Sequence, residues 1–580
     1  MVRKTIWLLV SCLMVLSLVI ASCGDGEGEE EEEGGYASRT EPKYGGTFTR
    51  IRGGDPRPGE WDYASQASMF VIDLMGEELL MGDWARGPAG TNENDWRAGF
   101  CGFISMLTGK LAESWEMPDD TTLLYHIRPD VHWWDKAPAN GRELTADDIA
   151  WNIMRHFTEE QAYLYQSYVA QGKGPTAAVA VDKYTVEVTV PAAWQGLMAS
   201  VVGDFVWHIC PEALGPDGYL EDYSDFIGTG PWMVTEYVAS SSVEYDKNPN
   251  YWQTDPLNAG NKLPYPDKLK ELIIADKSTQ LAAFRTGQID MMGFGSTWED
   301  VESLQSQYPE LLVKSTAGPS LNMIWPRLDN ENLPFDDINV RYAMNLAVDQ
   351  QTILEDYYGG YGDMLGWPYP NLKVFGPVYT PLEEQSKIVQ DLFGYDPDRA
   401  KELLAEAGYP DGFKFEVTCS TAQSDYLAIY KEYLAAIGID MTLANLEQSV
   451  WVSMYIGGTY EEAIYANDYV GNAYRMMCMT EGSNWNYSRF KADKTEEAVQ
   501  KISQWVGKDD DVVASVMKEI GPWELEQAVP IYMPSPYDFV MWWPWLQNFY
   551  GATGGGGYSN LDEYLMYIWI DTEMKAGMGY

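Results

Sequence analysis

Residues 396–408 spell out a helix together with both of its ends, and few segments restrict a fold more than one that starts and stops itself. Asp396 can accept from the first unbonded amides, Pro397 suits the first helical position, and Gly408 suits a left-handed stop. Between them Ala400, Leu403, Leu404 and Ala407 fall on one stripe, which has to be laid against apolar partners. Residues 278–287 repeat the scheme with Ser278 as cap, Leu281 and Phe284 on the inner face and Gly287 as stop, after which Ile289 enters a strand. Thr145 with Asp148 forms a capping-box pattern ahead of Ile149, Ile153 and His156. Residues 184–190 alternate Val186, Val188 and Val190 with polar neighbours, as a half-buried strand does, and residues 44–51 read as a first strand after a glycine turn. Such alternation of strands and helices predicts an α/β protein.

The N-terminus addresses the chain to a compartment. Arg3 and Lys4 precede an apolar run over residues 6–20, and small residues then lead to Cys23, the layout of an export signal. The run of 15 residues is shorter than the roughly 20 a helix needs to cross hydrocarbon. Residues 20–23, Ile-Ala-Ser-Cys, resemble the bacterial lipobox, so residues 1–22 are expected to be cut away and Cys23 to carry a lipid. Residues 24–35 hold seven acids, five glycines and nothing apolar, and such a segment stays extended by charge repulsion. Residues 23–43 are therefore expected to form a tether, and the protein to work outside the cytoplasm on a membrane surface.

Composition removes one class of partner. The formal net charge of −48, from 39 Lys and Arg against 87 Asp and Glu, leaves no basic face for a phosphate backbone, so no nucleic-acid partner is expected. About 545 residues follow residue 35 and exceed what one core serves, which predicts two or three domains. Cys101, Cys210, Cys419 and Cys478 would meet an oxidising environment there, and their three possible pairings stay open.

Beyond the tether a series of motifs keeps a fixed order: "GGTF" at 45–48, "LAESWE" at 111–116, "LTADDI" at 144–149, "GTGPW" at 228–232, "NPNYW" at 248–252 and "LAAFRTGQID" at 281–290. It continues through "FDDINVRYAMNLAVD" at 335–349, "YDPDRAKELLAEAGYPDG" at 395–412 and "IGIDMTL" at 437–443. In this order the chain resembles the family 5 extracytoplasmic solute-binding proteins, the peptide, oligosaccharide and nickel receptors of ABC importers. The resemblance implies an α/β clamp of the two-lobed periplasmic-binding-protein kind, type II, with an extra inserted domain. Residues 44–74, 206–317 and 531–580 would build the first lobe, 75–205 the inserted domain and 318–530 the other lobe. Two crossings between lobes would form a hinge. The implied protein is a lipid-anchored monomer, not an enzyme and without a cofactor, that captures a solute and passes it to permease and ATPase subunits. A peptide or oligopeptide is the first expectation, an oligosaccharide the alternative within the family.

The stretch at 461–490 corresponds in the family to a part of the second lobe that lines the cleft. Peptide receptors carry a D-Y-x-D-P pattern there; Asp468 and Tyr469 match its start, while Val470, Gly471 and Asn472 depart from it. Asp468 is the candidate partner for a substrate ammonium and Arg475 for an anionic or hydroxyl-rich end, because charged groups bond strongly and directionally in a dry cleft. Trp451, Tyr469 and Trp485 are the candidate aromatic contacts, with Trp133 and Trp134 in the inserted domain. Met476, Met477, Cys478 and Met479 are soft donors, but neighbours on a strand point to opposite faces, so no more than two would meet one ion. His126, His132, His156 and His208 show no paired ligand spacing, and no metal is expected. A secreted glycosidase using paired carboxylates is the rival class, with no catalytic motif to support it, and a surface receptor or chaperone that has lost its transporter is the third.

Overall fold

The structure, a computed structural model, describes residues 41–580 except 57–60, 63–71, 98–102, 221, 294, 319, 470–478, 484 and 555–561. Within it, residues from Pro42 onward form one compact unit. Four four-stranded sheets carry that unit. The first has Thr47–Arg52 parallel to Lys268–Ile273, followed by Ser242–Lys247 and Trp232–Val238 in antiparallel pairs. A parallel pair needs a long crossover, and here more than two hundred residues separate its two strands.

Part of that crossover is an antiparallel sheet of its own, ordered Ala112–Glu116, Thr122–Ile127, Thr185–Thr189, Ala177–Asp182. Val186 and Val188 are buried between half-exposed Thr185, Glu187 and Thr189, so the period-two pattern sets its inner face. The helix Ala146–Thr158 covers it, with the Thr145 amide donating to the Asp148 carboxylate at 2.9 Å.

A third sheet joins Met291–Met292 and Leu312–Ala317 to the long strand Ser535–Trp542, on which Gly362–Asp363 also pairs. The fourth is ordered Ser320–Pro326, Ala463–Tyr469, Lys414–Ser420, Asp440–Leu446, with the first pair antiparallel and the others parallel. The strands Ser320–Pro326 and Ala463–Tyr469 send apolar side chains into a core on each face. Leu321, Met323 and Trp325 enter one hydrophobic core and Ile324 the other; Ile464 and Ala466 follow the first group and Ala463 and Tyr465 the second. This explains why these strands read as apolar runs instead of alternating. The chain leaves the third sheet for the fourth between Ala317 and Ser320, and comes back past an Ile324–Ile531 bridge into Ser535.

A further core runs from Phe48 to Ile570 and unites the first three sheets. Two stretches from within 318–530 pack into it: Tyr369 to Val378, and Ala498 to Ile520. The approach is close, since a Cβ on Gly196 would stand 2.4 Å from the Ser503 carbonyl oxygen. The helix Asp510–Glu526 spans both environments, with Ile520 in this core and Leu525 in the one around Trp367, and Pro522 lies at the changeover.

Several local expectations hold and others shift. Asp396 accepts from the Arg399 amide, Pro397 opens the helix Pro397–Glu406, and Gly408 takes φ +93°. The helix Lys277–Arg285 is capped by Asp276, not Ser278: the longer reach of the carboxylate satisfies the Thr279 amide at 2.8 Å and leaves Ser278 inside the first turn. The following strand starts at Met291, two residues after Ile289, and the first strand begins at Thr47. Cys210 and Cys419 are free and buried, with their thiols directed to Glu212 and Asn445, while Cys101 and Cys478 lie outside the described residues.

Two of the ordered motifs meet through backbone contacts. In "GTGPW" the Gly230 amide donates to the Met75 carbonyl at 3.0 Å, and Gly228 takes a bond from the Trp134 amide. Asn248 of "NPNYW" bonds Pro231 and Gly230. A Cβ on Gly228 would stand 2.0 Å from the Met75 oxygen, where neither chain can give way. Gly228→Ala is expected to cost about 2–3 kcal/mol, read as a lower denaturant midpoint at unchanged slope. Gly53→Ala, whose added carbon would meet nothing within 4 Å, is the control and leaves the midpoint in place.

Candidate functional site

Asp468 is the one ionisable acid in the strand Ala463–Tyr469, and it is fully buried, in register with Leu321 of the neighbouring strand. A carboxylate in such a place has to be hydrogen-bonded. The indole Nε1 of Trp367 donates to its Oδ2 at 2.8 Å, and Trp367 is itself 2% exposed. The next residue, Tyr469, pairs in register with Ser320, where the chain enters the fourth sheet from the third. Asp468 therefore stands one residue from a crossing.

Aromatic rings fill the core behind it. Trp367 packs on Trp325 and Tyr532, with ring centroids 6.3 and 5.8 Å apart. Tyr487 touches Trp325 at 5.7 Å, Tyr455 at 6.1 Å and Trp485 at 6.4 Å. Trp451 packs on Tyr455 at 4.9 Å and donates its indole N–H to the Tyr465 carbonyl at 3.1 Å. Tyr487 donates its hydroxyl to the Asn467 carbonyl, one residue before Asp468. The layer thus fixes the strand end from behind, by backbone bonds as much as by packing.

The sequence candidates fare unequally. Asp468, Trp451 and Trp485 share this neighbourhood, Trp451 inside the core and Trp485 half-buried at its margin. Tyr469 closes the same strand. Arg475, Met476, Met477 and Cys478 lie outside the described residues, as does Cys23, and Met479 is buried in the aromatic core. Trp133 and Trp134 are 1% and 3% exposed in the core that unites the first three sheets, Trp134 bonding the Gly230 carbonyl, so both serve packing there. Trp367 was missed by sequence reading. Its signal is "GWPYP" at 366–370, a tryptophan in a stretch without helical or strand period. Asp363 was missed as well: it pairs beside Ser535 at the return crossing, accepts from the Tyr537 hydroxyl at 3.1 Å, and its carboxyl is pushed up by burial.

Among the described residues no three His, Cys, Asp or Glu side chains gather as a metal would require. His156 and His208 face the backbone carbonyls of Trp207 and Glu77, and burial pushes them down to about 3 and about 4, so both are neutral in the fold. No helix among the described residues is long and apolar enough to cross a membrane.

The geometry can be set beside known proteins. Over 329 residues the chain is 29% identical to heme-binding protein A of Haemophilus influenzae, covering 52% of this chain and 54% of that one. Over 389 residues it is 28% identical to the periplasmic oligopeptide-binding protein OppA of the same organism, covering 61% and 66%. The chain thus matches between about half and two-thirds of the length of these relatives. In structure it is similar to the ABC transporter-associated periplasmic binding protein DppA of Helicobacter pylori, solved with the peptide STSA, with TM-score 0.69 at 20% identity over 91% of this chain and 99% of that one. The model of the bacterial extracellular solute-binding proteins, family 5 (Middle), matches residues 107–488, about two-thirds of the sequence. The mixed α/β fold agrees with that of these periplasmic binding proteins, and this chain belongs to the family 5 bacterial extracellular solute-binding proteins.

Proposed function

We propose that this protein captures peptides between two lobes and hands them to the permease of an ABC importer, with no chemistry on the solute. The lobes are taken as 44–74 with 206–317 and 531–580, and 318–530, with 75–205 inserted. Cys23 carries the lipid, residues 24–43 are the tether, and anchoring raises the effective concentration of the receptor at its transporter. The protein works as a monomer. A ligand held between lobes favours closure only by binding the closed form better.

The observation that carries this reading is the position of Asp468, a buried carboxylate one residue from the crossing into the second lobe's sheet, where it can meet the ammonium group of a peptide. Relatives named for oligopeptides, dipeptides and glutathione favour a peptide over an oligosaccharide. The test is native mass spectrometry of gently purified protein, followed by thermal melts with di- to pentapeptides and with oligosaccharides. Peptides are expected as added mass, and as a stabilisation of about 2.7 kcal/mol at a hundredfold excess over Kd. Melts that respond to oligosaccharides alone, or any measured turnover, would overturn the proposal.

A further inference from the structure

We propose that Trp367 is a positioning residue: its indole N–H fixes the direction in which Asp468 presents its carboxylate to the solute. The inference rests on the reading of Asp468 given above and goes beyond it, since Trp367 lies about a hundred residues away in sequence and in no strand of that sheet.

Four observations carry it. The Trp367–Asp468 bond is 2.8 Å long, and both partners are buried. A buried indole N–H needs an acceptor, and an ionised carboxylate gives the stronger, more directional bond. The indole cannot swing away, because Trp325 and Tyr532 pack against it. The free space it borders, a cavity of about 10 Å³ shared with Tyr369, Gln385 and Pro522, admits at most one water. The carboxylate is therefore held by a donor that has one orientation. Phenylalanine would fill most of the same volume and provide no donor. The choice of tryptophan thus concerns the acid it touches, and not only the core it fills.

The test uses the full-length chain and a defined library of unblocked tri- to pentapeptides, with bound peptide read by native mass spectrometry. Trp367→Phe is expected to lower capture about tenfold, and to have no further effect in an Asp468→Asn background, because without the carboxylate's charge there is no ammonium contact left for the indole to orient. A purely structural tryptophan would instead lower capture by the same factor in both backgrounds, and that result overturns the proposal. Asp468→Glu covers the case in which Trp367→Phe does not fold: it keeps the charge but moves the carboxylate by one methylene, and capture should again fall about tenfold. Capture by Asp468→Glu equal to that of the unaltered chain overturns the proposal too. If Asp468→Asn itself captures as much as the unaltered chain, the reading of Asp468 fails, and the positioning role falls with it. Loss in Asp468→Asn but none in Trp367→Phe rejects the positioning role alone.

Discussion

Lys110→Met is expected to destabilise the protein by about 3–5 kcal/mol at pH 8, the usual cost of leaving a buried charge without its partner. Lys110 is 2% exposed and donates to Glu78 at 2.8 Å and to Glu563 at 2.7 Å. Asp73 and Glu77 lie close enough to raise its affinity for a proton further. The ammonium ties together three distant stretches of chain, since Glu563 is 453 positions away in sequence. Methionine has nearly the volume of lysine, so packing survives while the carboxylates lose their counter-charge. The measurement is equilibrium unfolding in urea; a change under about 1 kcal/mol would mean that these acids are already neutral in the fold.

The effect has a sign in pH. Burial pushes Asp73 up to about 8 and Glu563 up to about 7, and raises Glu78 as well. A carboxyl with its folded pKa above its unfolded one binds protons more tightly when folded, so its contribution is full below about pH 4 and is lost as pH rises toward 7–8. The Lys110→Met cost should accordingly be smaller at pH 5 than at pH 8. His156 and His208 act in the opposite sense. Their folded values of about 3 and about 4 lie below the usual 6.5, so their contribution is present above pH 6.5 and is lost as pH falls through 4. The two effects oppose each other between about pH 4 and 6.5, and Asp73→Asn should flatten the alkaline loss alone.

Much of this architecture could be read from the sequence because its signals are local. Asp396, Pro397 and Gly408 act within one helix, and the Val186–Val188 alternation within one strand. Ser278 was misplaced as a cap for a reason of the same scale: Asp276 lies two residues upstream and reaches farther. The buried network around Lys110 was invisible, because its members are scattered from Asp73 to Glu563 and a carboxylate in sequence carries no mark of burial. Asp468 stood out through its family position, whereas its partner Trp367 lies 101 residues off and could be found only through contact. The packing of Ala498 to Ile520 into the core of the first three sheets escaped notice likewise, since an apolar helical stripe says that it is buried but not against what.

Asp468→Asn is expected to weaken peptide affinity about a hundredfold while leaving the fold in place. The carboxylate is buried, so a peptide ammonium that pairs with it does so away from water, where truncating one charge of a hydrogen-bonded pair costs about 2–5 kcal/mol. Asparagine keeps the shape and an oxygen able to accept from Trp367, so the melting temperature should fall by only a few degrees. The discriminating measurement compares free and N-acetylated forms of one peptide by calorimetry. The unaltered chain should prefer the free form by about a hundredfold, and Asp468→Asn should bind both equally weakly. The acid-rich surface, at a net charge of −48, is no substitute: its field steers cations from a distance but is screened within about 8 Å at physiological salt. Raising the salt should therefore slow association in both proteins without closing the gap between them. If that gap between free and acetylated peptide shrank with salt in the unaltered chain, the discrimination would come from the surface, and Asp468 would have no part in it.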